Sequence, residues 1–144
     1  MQLIIKKSLI IFFLFLVIPT QLLSSPNNID DNGIIVLMYH RFEENKYPST
    51  NIKIADFIAH INLIRKNQFK FVNPDNFEND LLNKKKEKKI LLTIDDGFKS
   101  FYDRAWPILK REKIPFILFV NTREVGANGY MDWDQIKEVS RENF

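Results

Sequence analysis

The run Ile90-Leu91-Leu92-Thr93-Ile94-Asp95-Asp96-Gly97 constrains the fold more than any other stretch of the chain. An apolar segment of strand length that ends in two adjacent carboxylates and a glycine reads as a buried strand delivering acids to a cleft. Ionised carboxylates beside a core are costly unless a cation, a proton or a hydrogen-bond donor compensates them. The pair therefore points to a metal site, an acid/base pair, or both. The competing reading is a strand followed by an ordinary Asp-Gly turn.

Strand and helix patterns alternate around this run. Residues 34–39 are apolar and end at His40, while Ile54, Phe57, Ile58, Ile61 and Ile64 recur at three and four, the stripe of an amphipathic helix over 52–66. A short strand over 69–72 stops at Asn73-Pro74, and a helix over 77–83 follows. After the acids, a helix over 98–111 carries Phe101, Ala105 and Leu109 on one face, and Pro107 should kink or split it. Residues 114–120 are apolar on both faces, as in a parallel strand covered on both sides. Residues 121–129 read as a loop, and 134–140 as a helix with Asp132 or Asp134 near its N-cap. Such alternation argues for a parallel α/β architecture. Four candidate strands make half an eight-stranded barrel or a small open sheet, without closure.

Lys6 and Lys7 precede the apolar run 9–18, then Pro19 and Ser24-Ser25-Pro26, the order of a secretory signal. The expected organisation is a signal peptide over 1–25, a polar linker over 26–33 and a domain over 34–144. The destination is then the periplasm, the cell envelope or the extracellular space. The apolar run is shorter than the roughly 20 residues of a membrane span. An uncleaved anchor is the alternative, and it is the only membrane contact expected. The 21 Lys and Arg against 18 Asp and Glu include Lys6 and Lys7, so without the leader the balance is 19 against 18. A nearly neutral chain argues against a nucleic-acid partner. With no cysteine, disulfides and thiolate metal sites are excluded, leaving oxygen and imidazole as metal ligands. The basic stretch 84–89 reads as a solvated loop ahead of the buried strand.

Thr93-Ile94-Asp95-Asp96-Gly97 resembles the Thr-Phe-Asp-Asp-Gly signature of the polysaccharide deacetylases, carbohydrate esterase family 4, the nodulation-type chitooligosaccharide deacetylase homology domain. The flanks agree. Val36-Leu37-Met38-Tyr39-His40 resembles the first strand of the branch with exported poly-N-acetylglucosamine deacetylases. Phe98-Lys99-Ser100 with Pro107-Ile108-Leu109 is similar to the helix after the signature, and the stretch from Ile114-Pro115-Phe116 through Phe119-Val120 to the next strand. Met131-Asp132-Trp133-Asp134-Gln135-Ile136 is similar to the segment leading to the metal histidines.

The resemblance implies the N-terminal half of a distorted (β/α) barrel, truncated before closure. It makes Asp95 the general base and Asp96 a ligand of a divalent metal, zinc or another transition ion. The reaction implied is hydrolysis of the N-acetyl amide on an amino-sugar polysaccharide or oligosaccharide. His40, at a strand end, is a candidate for lining the substrate pocket; a structural histidine is the other reading. His60, beside an apolar stripe, reads as structural. The family's His-(Ser or Thr)-x-x-His pair is expected past Phe144, so the chain by itself is expected to be inactive. Two other readings stay open. One is a noncatalytic carbohydrate-binding protein offering Tyr39, His40, Trp106 and Trp133 as sugar-contacting surfaces, although such aromatics are more often core. The other is a glycosidase pairing Asp95 or Asp96 with a distant acid such as Asp132. Glycosidase acids need about 5 to 9.5 Å between them, which adjacent residues supply less readily than a metal site.

Overall fold

The computed structural model describes residues 33–83 and 86–142. The expected signal peptide and linker up to residue 32 lie outside them. In chain order the elements are β1 (Ile34–Tyr39), β2 (Arg41–Phe42), β3 (Asn51–Ile52), α1 (Ile54–Lys66), β4 (Lys70–Phe71), a 3-10 turn (Pro74–Asn76) and α2 (Phe77–Leu82). They continue with β5 (Lys89–Ile94), a π-helical turn (Phe101–Ala105), α3 (Trp106–Glu112), β6 (Ile117–Leu118) and α4 (Trp133–Arg141).

Every residue of β5 is buried, the apolar Ile90, Leu91, Leu92 and Ile94 together with Lys89 and Thr93. Strand β1 pairs with it in parallel along its whole length, from Ile34 opposite Lys89 to Tyr39 opposite Ile94. The other edge of β5 is shared. Strand β4 takes its N-terminal end and β6 its C-terminal end, both in parallel. The fold is the α/β half-barrel expected, but its strand order is not the order in sequence. A second, two-stranded parallel sheet, β2 with β3, had no signature in the sequence.

The helical stripe of α1 buries Phe57, Ile61 and Ile64 but leaves Ile58 exposed, so the contact face is narrower than its apolar pattern. Phe101, Ala105 and Leu109 are fully buried on one face. Pro107 has no N–H to continue the helical ladder, and the segment splits there as expected into the π-helical turn and α3, with the proline in the first turn of α3. Aromatic rings knit the core edge to face: Phe57 lies 5.1 Å from both Tyr39 and Phe42, and Phe101 lies 5.3 Å from Phe116. Of the two N-cap candidates it is Asp132 that caps α4. Its Oδ1 accepts the Asp134 and Gln135 N–H groups while the Gln135 side chain accepts the Asp132 N–H, a reciprocal capping box.

Three expectations are corrected. The strand over 114–120 shrinks to Ile117–Leu118, because Lys113 ends α3 in the left-handed region and Pro115 offers no donor to a ladder. Nor is it covered on both sides: Phe119 is 53% exposed, since among the described residues β6 pairs only with β5. Lys89 is no part of a solvated loop. It begins β5 with 2% exposure, and its Nζ donates to the Asp80 carbonyl at 2.6 Å.

Candidate active site

Because β1 and β5 run in register, their C-terminal ends emerge side by side. The Asp95 N–H donates to the Tyr39 carbonyl at 2.8 Å, so His40 and Asp95 leave the sheet as neighbours. The chain then turns through two successive left-handed residues, Asp96 at φ 70° and Gly97 at φ 71°. Aspartate is among the few residues with a Cβ that occupy this region readily. The turn is clamped from both sides. The Gly97 carbonyl accepts the Met131 N–H at 2.9 Å, the Gly129 carbonyl accepts the Lys99 N–H at 2.9 Å, and the Phe98 ring lies 4.8 Å from that of Tyr130. On the other side the Arg41 guanidinium sits 3.5 Å over Phe98 and 4.0 Å over Tyr47, with its charge met by Glu44 at 2.7 Å.

Gly97→Ala tests the turn. A Cβ there would stand 3.7 Å from Val120 Cγ1, an ordinary contact, so its cost is that of the backbone conformation. Denaturant unfolding should show a loss of about 1–2 kcal/mol. No loss would mean that the turn relaxes out of the left-handed region.

Asp95 Oδ1 is buried and has no hydrogen-bond partner among the described residues. A buried carboxylate oxygen without a donor is placed to take a proton, a donor from a ligand, or a cation. Asp96 follows it on the same turn. Among the described residues, however, no three or more of His, Asp and Glu come together as a metal site. Catalytic zinc uses three protein ligands, so the residues present do not by themselves fit a tightly held ion.

His40 lines a cavity of about 330 Å³ with Met38, Tyr39, Ser49, Thr50, Asn51 and Ile52. His60 is elsewhere, on α1, with Nδ1 3.0 Å from the Tyr39 hydroxyl. Tyr39 and Trp106 belong to the core, whereas Trp133 is half exposed. The Asp132 carboxylate is engaged in capping α4. Arg41, Ser49 and Thr50 went unmarked in the sequence because the 41–50 segment has no apolar periodicity.

Burial pushes the Tyr39 phenol up to about 12. The unfolded chain releases this proton near pH 10, so the contribution is fully present below that and declines as pH rises toward 12. Ultraviolet titration should show a late-ionising phenol that Tyr39→Phe removes. Its ionisation near pH 10 in the folded protein would contradict the burial.

The polysaccharide deacetylase family profile matches residues 82–144. The Bacillus subtilis protein YxkH, named for the same family, is 28% identical over 108 residues, covering 74% of this chain and 38% of its own. A poly-beta-1,6-N-acetyl-D-glucosamine N-deacetylase of Staphylococcus aureus (strain MSSA476) is 25% identical over 126 residues, covering 75% of this chain and 42% of its own. The chain thus spans about two-fifths of the length of these curated relatives. Among solved structures, IcaB from Ammonifex degensii superposes with a TM-score of 0.66 at 34% identity, over 76% of this chain and 49% of its own. The Streptococcus pyogenes deacetylase PplD, solved with acetate, superposes at 0.65 with 24% identity over 76% and 53%, a likeness of fold. With the Asp-Asp-Gly turn at the end of its central buried strand, this chain carries over residues 82–144 a match to the polysaccharide deacetylase family.

Proposed function

We propose that the whole protein hydrolyses N-acetyl groups on an amino-sugar polysaccharide or oligosaccharide, with Asp95 as general base. The observation that carries this is the buried Oδ1 of Asp95, without a partner among the described residues and held at the end of a fully buried strand beside His40. Asp95 takes a proton from a water molecule whose oxygen attacks the acetamide carbonyl carbon. The C–N bond then breaks, and acetate and a protonated amine result. Asp96 is one ligand of a divalent metal, zinc or another transition ion, whose remaining ligands are not among the described residues. His40 contacts the sugar. The names of the Staphylococcus aureus and Bacillus subtilis relatives support this substrate class. Export, read from Lys6, Lys7 and the apolar run 9–18, would bring the enzyme to polymers of the cell envelope.

The test is acetate release from N-acetylglucosamine oligomers by a form of the protein that carries the His-(Ser or Thr)-x-x-His pair. Release that Asp95→Asn abolishes is the expected result. Shortened oligomers without acetate would replace this reading with glycoside cleavage.

A further inference from the structure

We infer that Arg41 is a positioning residue for Asp95: strand β2, which carries it, grips the chain on the far side of the Asp-Asp-Gly turn and so fixes where the carboxylate stands. The catalytic half of this inference rests on the reading above and deepens it. One short stretch of chain spans the turn. Before it, the Tyr39 carbonyl accepts the Asp95 N–H at 2.8 Å. After it, the Arg41 guanidinium covers the Phe98 ring at 3.5 Å, and the Phe42 N–H donates to the buried Ser100 hydroxyl at 3.2 Å. Residues 39–42 thus hold residues 95–100 at three points, and Asp96 and Gly97 cross between them in the left-handed region. Such a backbone conformation persists where the surrounding structure holds both its ends.

Arginine is the residue type this grip needs. Its guanidinium is planar, stacks on aromatic faces and is more weakly hydrated than an ammonium. Tyr47 takes it at 4.0 Å as Phe98 does at 3.5 Å, and Glu44 meets its charge at 2.7 Å, although the side chain is only 14% exposed. Phe98 in turn lies 4.8 Å from Tyr130. The run Tyr47, Arg41, Phe98, Tyr130 joins the loop after β2, the acid turn and the loop before α4. Strand β2 is itself held: the Arg41 N–H donates to the Thr50 carbonyl at 3.0 Å, the Glu43 N–H to the Ile52 carbonyl at 2.9 Å, and Arg104 Nη1 to the Glu43 carbonyl at 3.2 Å. A general base has to stand within hydrogen-bond reach of the water it deprotonates, and a misplacement of about 1 Å costs on the order of a hundredfold in rate. The grip on Phe98 therefore acts on the chemical step rather than on binding.

Two measurements test this. In the 144-residue chain, hydrogen exchange follows the Met131 N–H, which donates to the Gly97 carbonyl, and the Lys99 N–H, which donates to the Gly129 carbonyl. Arg41→Ala should speed both about tenfold and leave unchanged the Val72 N–H, bonded to the Ile90 carbonyl at the other end of β5. Tyr47→Ala removes a ring that is 41% exposed and should give a smaller rise at the same two amides; it decides the matter if Arg41→Ala does not fold. In the longer form, Arg41→Ala should lower kcat for acetate release about 10- to 100-fold with KM changed less than about threefold, and Arg41→Lys should do nearly the same. Methylguanidinium should restore part of the alanine variant's rate, and methylammonium should not. Unchanged exchange at Met131 and Lys99, equal acceleration at Val72, or an effect on KM alone would overturn the positioning role. Faster exchange at the turn with no acetate released by any form sinks the deacetylase reading alone, and release that Arg41→Ala leaves intact sinks the positioning role alone.

Discussion

Asp95→Asn should lower acetate release by about 10²–10⁴-fold, the range for removing a positioned general base, while leaving the fold intact. Asparagine has nearly the same shape and can keep the backbone bond from its N–H to the Tyr39 carbonyl. It cannot accept a proton. A residue with a purely structural role would behave differently, because its loss would lower stability together with activity. Here Oδ1 is buried without a partner among the described residues, a costly placement for a carboxylate, so a neutral amide should leave stability unchanged or raise it. Thermal unfolding of the two forms, beside their rates, separates the cases. A lower melting temperature with only a proportionate loss of rate would remove Asp95 from the chemistry.

Phe101→Ala should cost about 3–5 kcal/mol, the range for emptying a buried aromatic site. Phe101 is fully buried on the π-helical turn that follows the acids, with its ring 6.1 Å from Phe42 and 5.3 Å from Phe116. It therefore joins the helix after the site to strand β2 and to the approach to β6. With total stabilities of about 5–15 kcal/mol, such a loss takes much of the margin of a small domain. Urea unfolding measures it, and Phe101→Leu should recover much of the loss. A cost below about 1 kcal/mol would show that neighbouring rings collapse into the space.

Local pattern carried far. The apolar run ending at Ile94, the stripe of α1, the split at Pro107 and the cap of α4 were legible because each depends on residues within a turn or two of one another. The resemblance around Asp95-Asp96-Gly97 named the family for the same reason, since its motif is contiguous. The length of β6 was not legible. Residues 114–120 are apolar throughout, but only the two that reach β5 form strand, because ladder bonds require a partner as well as a propensity.

By itself the sequence determined that the run ending at Ile94 is buried, that α1 turns an apolar face to the core and where two carboxylates leave a strand. Tertiary structure alone decided that β5 lies between β1 and the shared edge of β4 and β6, since the order of parallel strands comes from packing between distant segments. Through that order His40 comes beside Asp95, across a register set by β1 and β5. It also decided that Arg41 clamps Phe98 and that Ser49 and Thr50 face the same cavity as His40. Those residues lie in a loop without period, and only the contacts of the folded chain give them a position.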